Sequence, residues 1–307
     1  MALNLHLVRL FAAVVEHDGF TAASRAVRVS QPAISRAVRD LEAQLGVSLI
    51  ERTGRGVKLT AAGEALYGHA RGVFASERAA EEAMAALRGV ERGRLHVGAS
   101  SNIATYALPA VVGHFVARHP GIDFQLSAVH TRQLCEMLLD YDIDVAIAEA
   151  PVDDPRIEAR RWRWDDMVVI AAPTHPLARR RRIPPTVLGD ELLIMREAAS
   201  GTRELVLSSL RDAGVVPGRT ISVDTAEAIK QLVATGCGIG IVSRVAAAEL
   251  LQLGRLVALD VAGLDIRRAF NVLHLRGHHP SAAATAFHSV LAQYGDGPRL
   301  VGRARTA

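Results

Sequence analysis

The sequence predicts an all-α N-terminal unit with a small β-hairpin, then a long connecting helix, then a larger α/β domain of two lobes. Three observations predict it. Residues 1 to 60 carry short helical periods around one compact turn. Residues 61–90 are rich in Ala, Glu and Arg and almost free of proline and β-branched residues. From residue 94 onward, apolar strand-like runs alternate with helical patterns, the mark of an α/β sheet. The expected boundaries are therefore 1–60, 61–90 and 91–300.

The first unit opens with Leu3, Leu7, Leu10, Phe11, Val14 and Val15, whose spacing lays one apolar stripe along a helix. Asp18-Gly19 ends it. Thr21 is the expected N-cap of a short helix through Val27, Arg28-Val29 makes a turn, and Ser30 caps the next helix with Pro32 in its first turn, where a missing N–H costs nothing. In that helix Ile34, Val38, Leu41 and Leu45 share one expected buried side. Pro32, Ser35, Arg36 and Arg39 lie opposite, with Gln31 at the tip. Two helices joined by a short turn, the second presenting Gln, Ser and Arg outward, form a helix-turn-helix. Gln reads adenine edges, and Arg reads guanine or clamps phosphate. Ser48 to Arg52 and Val57 to Thr60 read as two strands around the turn Thr53-Gly54-Arg55-Gly56. This hairpin is a wing with Arg55 at its tip and Arg52 and Lys58 beside it, suited to the minor groove or the backbone. The alternative, a small helical domain with a merely solvated arginine face, has to explain why cap, proline, polar face and wing all agree.

Leu66, Val73, Ala80 and Leu87 recur at intervals of seven, with Ala70, Glu77 and Met84 between them. Only Glu77 interrupts the apolar seam. The pattern fits a helix paired with its own copy, or one packed on its own chain.

In the α/β region, Leu95 to Ala99 reads as a strand followed by Ser100-Ser101-Asn102 and a helical stretch through Leu108-Pro109 to His119. Ile122 to Ala128 is a second strand, leading to Thr131 and a helix, and Asp144 to Ala148 is a third. Leu192 to Met195 precedes Ser200-Gly201-Thr202-Arg203, Val223-Asp224-Thr225 precedes another helix, and Gly236 to Gly240 bends into a strand. A strand that ends in small polar residues beside a helix N-terminus is a ready anion site. The repeated unit predicts two lobes whose polar strand ends face one cleft. The chain crosses between them near 160–165 and returns through a strand at Ile266 to His274, giving lobe I at 94–162 and 266–300 and lobe II at 163–265. Trp162 and Trp164 at the crossing read as packing residues, and Arg179 to Arg182 as a solvated loop.

Composition narrows the function. Half the residues are hydrophobic, yet no apolar run approaches the roughly 20 residues of a membrane helix, and the first residues do not read as a signal peptide. Cys135 and Cys237 stand far apart, without disulfide or zinc spacing, which fits a reducing cytoplasm. The histidines form no metal motif, and the adjacent His278 and His279 read as exposed loop residues. No metal and no cofactor is expected. The net charge of +4 permits a polyanionic partner without establishing one.

At residues 20–63 the sequence resembles the LysR-type transcriptional regulators. The residues that carry the resemblance are Phe20-Thr21, Ala22-Ala23, Ser30-Gln31-Pro32-Ala33, Ser35, Leu41-Glu42, Leu45-Gly46, Leu49 to Arg52 and Leu59 to Gly63; Val27, Val38 and Ile50 replace other apolar residues of the family pattern. The resemblance implies that Gln31, Pro32, Ser35 and Arg36 enter the major groove and that Arg55 lies near the minor groove. Arg39, from its place on the outer face, is the expected phosphate contact. A looser likeness continues through the Gly98 to Asn102 run, Thr131, Asp144 to Ile147, Ser200 to Arg203 and Val233 to Val242. It implies a periplasmic-binding-protein-like (type 2) effector domain. Ser243 stands where the family often has proline. The Gly98 to Asn102, Ala148 to Pro151 and Ser200 to Arg203 runs look nearest to the subgroup linked to carbon fixation and sulfur assimilation, which points to a small anion or anionic metabolite. By position Ser100, Ser101, Asn102, Thr131, Ser200, Thr202 and Thr225 are the effector candidates, and Arg203 fits an ion pair equally well. Taken singly, such Ser and Thr residues are commonly just helix caps.

The expected protein is a cytoplasmic, ligand-responsive regulator of transcription. Its partners would be double-stranded promoter DNA with a partly palindromic site, a small-molecule effector, its own copies as dimer or tetramer, and RNA polymerase. An enzyme carrying a DNA-binding appendage finds no support, since G-x-S-x-G, P-loop, GxGxxG and metal motifs are all missing. A transport solute-binding protein would need a signal peptide and no wing.

Overall fold

The structure, a computed structural model, describes residues 2–53, 56–87, 92–198 and 200–295. The chain divides into two compact units, residues 1–81 and 82–307.

In the first unit α1 (Leu5–Glu16) is capped by Asn4, whose side chain accepts from the amides of His6 and Leu7. It packs with α2 (Phe20–Val27) and α3 (Gln31–Leu45) around Val8, Phe11, Val14, Ala23, Ile34, Val38 and Leu41. The expected cap at Thr21 is not made. Asp18 and Gly19 take positive φ of 50° and 148°, so α2 starts at Phe20 with Gly19 as N-cap, and Thr21 is an exposed first-turn residue. Leu45 departs from its stripe and is 38% exposed. The helix stops there because Gly46, at φ 71°, donates its N–H to the Glu42 carbonyl in the left-handed turn that glycine favours. Leu49 takes the next buried place. The carboxylate of Glu42 then accepts from the amides of Leu49 (2.8 Å) and Ile50 (3.3 Å), tying α3 to the hairpin.

That hairpin pairs β1 (Ile50–Thr53) with β2 (Gly56–Leu59) in antiparallel register, Ile50 opposite Leu59, and β1 starts later than the sequence pattern predicts. Helix α4 (Ala61–Leu87) follows, its start fixed by the Thr60 hydroxyl, which accepts from the Gly63 amide and donates to the Ser48 carbonyl. A Cβ on Gly63 would lie 2.1 Å from the Leu49 carbonyl oxygen, so only glycine lets α4 approach this closely. Ala70 is buried and Leu66 packs on the first unit's core, whereas Val73 (42%) and Met84 (53%) are exposed.

The second unit is built on one continuous sheet that serves both lobes. Lobe I contains β3 (Gly93–Ala99), α5 (Pro109–Arg118), β4 (Ile122–Ala128), α6 (Thr131–Leu139) and β5 (Val145–Ala148), with β3 parallel to both β4 and β5. The strand β6 (Ile157–Ala171) leads into lobe II. There β7 (Leu192–Arg196), α7 (Gly201–Asp212), β8 (Arg219–Val223), α8 (Ala226–Ala234) and β9 (Ile239–Ser243) repeat the same pattern, with β7 parallel to β8 and β9; α9 (Arg244–Gln252) and the short β10 (Val257–Ala258), antiparallel to β6, follow. β11 (Arg267–Leu275) returns, and α10 (Ala282–Gln293) covers lobe I. Among the described residues the strand order is β4-β3-β5-β11-β6-β9-β7-β8, with β10 paired to β6.

The long β6 connects the lobes. Its first part runs antiparallel to β11 (Asp166 opposite Arg267), and its second part runs antiparallel to β9 (Met167 opposite Ser243). Lobe I packs around Val97, Ile103, Phe115, Phe270 and Phe287 on one face and Leu134, Ile143 and Leu273 on the other. Lobe II packs around Leu193, Leu210 and Ile239 on one face and Ile170, Ile229 and Val233 on the other. Trp162 is buried and donates its indole N–H to the Leu291 carbonyl, whereas Trp164 is 37% exposed with the guanidiniums of Arg161 and Arg267 over its ring.

Candidate DNA-binding face and effector cleft

On α3 the apolar positions point inward: Ile34 and Leu41 are fully buried, with Ala37 and Val38 close to it. The opposite side presents Gln31, Pro32, Arg36 and Arg39 to solvent, with Ser35 half-buried and its carbonyl accepting from Arg39 Nε at 3.3 Å. The turn from α2 runs through Arg28, in a left-handed conformation, to Ser30. Ser30 occupies the N-cap position with extended backbone but makes no side-chain cap bond, so the first-turn amides of α3 carry no cap. Lys58 on β2 is exposed. Arg55 and the side chain of Arg52 lie outside the described residues.

In the second unit a cleft of about 710 Å³ opens between the lobes. Lobe I lines it with Ser100 and Ser101 after β3, Thr131 at the start of α6, and Glu149 after β5. Lobe II contributes Arg196 at the end of β7 and Ser200 and Gly201 at the start of α7. Of the sequence-predicted effector residues, Ser100, Ser101, Thr131 and Ser200 thus meet on one cavity. The N-caps of α6 and α7, His130 and Ser200, make no side-chain cap bond. The same is true of α2, α3, α5 and α9, whereas Asn4, Thr225 and Ser281 cap α1, α8 and α10 with their own side chains. Ser100 is 5% exposed and its Oγ is buried with no hydrogen-bond partner.

Asn102 and Thr202 are buried behind the wall, where both bond Glu149 Oε1, at 3.4 Å and 3.2 Å. Thr225 does not line the cleft; its hydroxyl accepts from the Ala228 amide. Arg203 donates to the Arg196 carbonyl at 2.8 Å, bracing the strand end.

Behind the cleft a buried ionic cluster joins the two lobes, and sequence reasoning missed it. Arg268 on β11 donates from Nε to Asp165 on β6 (2.9 Å) and from Nη1 to Thr202 (2.8 Å), and its Nη1 lies 3.1 Å from Glu149 Oε1. Ser243, at the end of β9, donates to the other Asp165 oxygen at 2.5 Å. Burial pushes the Asp165 carboxyl up, while Arg268 and Ser243 pull it down. Each arginine lining the cleft is already paired: Arg132 with Glu136 (3.3 Å), Arg156 with Asp154 (2.7 Å) and Arg196 with Glu197 (2.8 Å). Burial works to raise the Glu197 carboxyl, but the Arg196 bonds outweigh it and hold Glu197 low. The only advance signal for these residues was charge inside apolar strand patterns, as at Arg196, Asp165 and Arg268. A second lobe-to-lobe contact lies between Tyr106 of lobe I and α8. The Tyr106 hydroxyl donates to Glu227 (2.8 Å), and the buried Lys230 ammonium sits over the Tyr106 ring and 2.7 Å from Glu227.

Comparison with known proteins matches both parts of this architecture. Residues 5–64 match the lysR family of bacterial regulatory helix-turn-helix proteins, and residues 88–296 match the LysR substrate binding domain. The RuBisCO operon transcriptional regulator of Allochromatium vinosum is 36% identical over 94% of this chain and 95% of its own length. Among solved structures, the Synechocystis PCC6803 CcmR regulatory domain in complex with 2-PG is 29% identical, covers 66% of this chain and 98% of its own, and superposes with a TM-score of 0.60. A full-length OxyR variant from Pseudomonas aeruginosa shares the fold across 96% of this chain and 95% of its own (TM-score 0.73, 21% identity). The chain belongs to the LysR family of transcriptional regulators: a helix-turn-helix unit that binds DNA, joined to an α/β domain that binds a small-molecule effector.

Proposed function

We propose that the interlobe cleft takes a small anion and that its occupancy sets how the protein engages promoter DNA. One observation carries this. The two helices whose N-termini line the cleft, α6 and α7, lack side-chain caps, and the buried Ser100 Oγ beside them has no partner. Uncapped helix N-termini offer free amides and a partial positive charge, which stabilise an anion. The similarity to a RuBisCO operon regulator and to a regulatory domain solved with 2-PG supports both an anionic effector and a carbon-fixation target.

In this reading Ser100, Ser101, Thr131 and Ser200 hold the anion. Asn102 and Thr202 act by orienting Glu149, and Thr225 only caps α8. On DNA, Gln31, Pro32, Ser35 and Arg36 read the major groove, Arg39 and Arg52 clamp phosphate, and Arg55 reaches the minor groove. The chain works in the cytoplasm as a dimer or tetramer on a partly palindromic site, without catalysis of its own, and acts on transcription by RNA polymerase.

The test is a thermal-shift titration with inorganic phosphate, sulfate and small phosphorylated acids. An anion that binds the native state raises Tm by mass action. Ser100→Ala, which removes the buried donor, should weaken that anion about tenfold or more. No stabilisation by any anion, or equal stabilisation of the Ser100→Ala protein, contradicts the reading.

A further inference from the structure

We propose that the effector is not a bare anion but one that also carries a hydrogen-bond donor, a hydroxyl or an ammonium, which Glu149 accepts. The inference rests on the anion-binding reading of the same cleft.

Glu149 lines the cleft, and its side chain is 11% exposed. Its two oxygens are treated very differently by the fold. Oε1 faces Asn102, Thr202 and Arg268, three donors at 3.1 to 3.4 Å. Oε2 is buried and has no partner. With Oε1 held by three groups on β11, α7 and the turn after β3, the carboxylate is fixed in orientation and Oε2 cannot swing away to find a donor elsewhere. A buried carboxylate oxygen without a donor is costly, and an N–H or O–H brought to it relieves that cost; the Nη2 of Arg268, behind the same carboxylate, is also buried without a partner.

The charge balance of the cleft points the same way. Of the three arginines that line it, only Arg196 is buried, and it is held by Glu197; Arg132 and Arg156 sit at the exposed rim, where their pairs with Glu136 and Asp154 are weak. Asp153 and Glu204 also line the cleft, and Glu149 shares Arg268 with Asp165. A ligand made only of acceptors would satisfy Ser100 and the two helix N-termini but would meet Glu149 as a like charge. A ligand with a donor a few bonds from its anionic group satisfies both walls. Glu149 is thus a specificity residue, selecting among anions rather than attracting them.

Three acids that carry a phosphate on C3 and differ only at C2 test this: 3-phosphoglycerate (hydroxyl), O-phosphoserine (ammonium) and 3-phosphopropionate (hydrogen). Affinities are measured by calorimetry on the full chain. The expected result is that the hydroxyl or the ammonium acid binds about tenfold or more tightly than the C2-hydrogen acid, the size of a hydrogen bond to a charged group. Which of the two binds better identifies the donor. In Glu149→Gln the amide oxygen can keep the Asn102, Thr202 and Arg268 bonds while the NH2 group replaces Oε2. An ammonium then meets a donor, and the preference for the ammonium acid falls to unity or reverses; a hydroxyl can turn to accept from the NH2 group, so for the hydroxyl acid the deciding variant is Glu149→Asp. If Glu149→Gln does not fold, as judged by circular dichroism, Glu149→Asp withdraws the acceptor by one methylene at constant charge and should lose the preference likewise. Equal binding of the three acids to the natural protein overturns this inference and leaves the anion site standing. A preference for the ammonium acid that survives at Glu149→Gln, or a preference for either acid that survives at Glu149→Asp, also overturns it. Binding of none of the three removes the anion reading and this inference together.

Discussion

At the scale of single residues, burial of charge decides which groups serve the fold and which serve the site. Arg268, Asp165 and Ser243 bond one another and pin the crossing strands, whereas Ser100 Oγ, Glu149 Oε2 and the Nη2 of Arg268 are left with unmet hydrogen-bonding capacity at or behind the cleft. Ser100, Ser101, Thr131 and Ser200 were legible as cleft residues because small polar residues after a strand stand out, whereas Thr202 and Thr225 fit the same pattern and do not line the cleft. Glu149 and Arg196 were not singled out, because a charged residue at a strand end reads equally well as solvated surface. His288 makes a separate prediction. Burial, together with His274 and Arg160, lowers its pKa to about 4, and its Nε2 is buried without a partner. The folded chain therefore keeps His288 neutral, while the unfolded chain takes up a proton below its ordinary value of about 6.5. The stability tied to this group is complete above pH 6.5 and declines as pH falls toward 4, by roughly 2 kcal/mol over that span. Urea denaturation at several pH values should show this slope in the natural protein and a shallower one in His288→Gln; an equal slope in both would contradict the assignment.

At the scale of elements, period and punctuation in the sequence located most helices and strands, and their ends were set by contacts the pattern does not encode. α2 begins early because of the backbone at Asp18 and Gly19, and α3 turns at Gly46 so that Leu45 leaves its stripe. The full length of β6 was not legible: Glu158 to Asp166 mixes charge and tryptophan, and the strand is exposed and buried by turns until both faces are covered from Met167 onward. α4 is the element with an unspent face. Ala70 and Leu66 are occupied by the first unit's own core, but Val73 and Met84 are exposed, and Ala80 and Glu77 lie on the same seven-residue repeat. We predict that this stripe pairs two copies of the chain. In sedimentation, Val73→Glu with Met84→Glu should shift the protein to monomer at micromolar concentration while its helical circular dichroism persists. An unchanged oligomer would place the interface elsewhere.

At the scale of the whole molecule, two units carry the two halves of the function. The helix-turn-helix was legible almost residue by residue, because its motif residues do local work: Glu42 ties α3 to the hairpin, Thr60 starts α4, and Gly63 admits its close approach. The cleft was legible only in outline, since its walls come from segments far apart in sequence that the β6–β11 crossing brings together. If effector and DNA are coupled, linkage requires each to change the other's affinity by the same factor. The account depends above all on α3 being the surface that enters DNA. The direct measurement is the affinity of Gln31→Ala and Arg36→Ala proteins for duplex promoter DNA at fixed moderate salt, alongside their anion-induced thermal shift. The account predicts a loss of about 1–3 kcal/mol in DNA affinity for each substitution, with the thermal shift unchanged. DNA binding equal to that of the natural protein in both would contradict it.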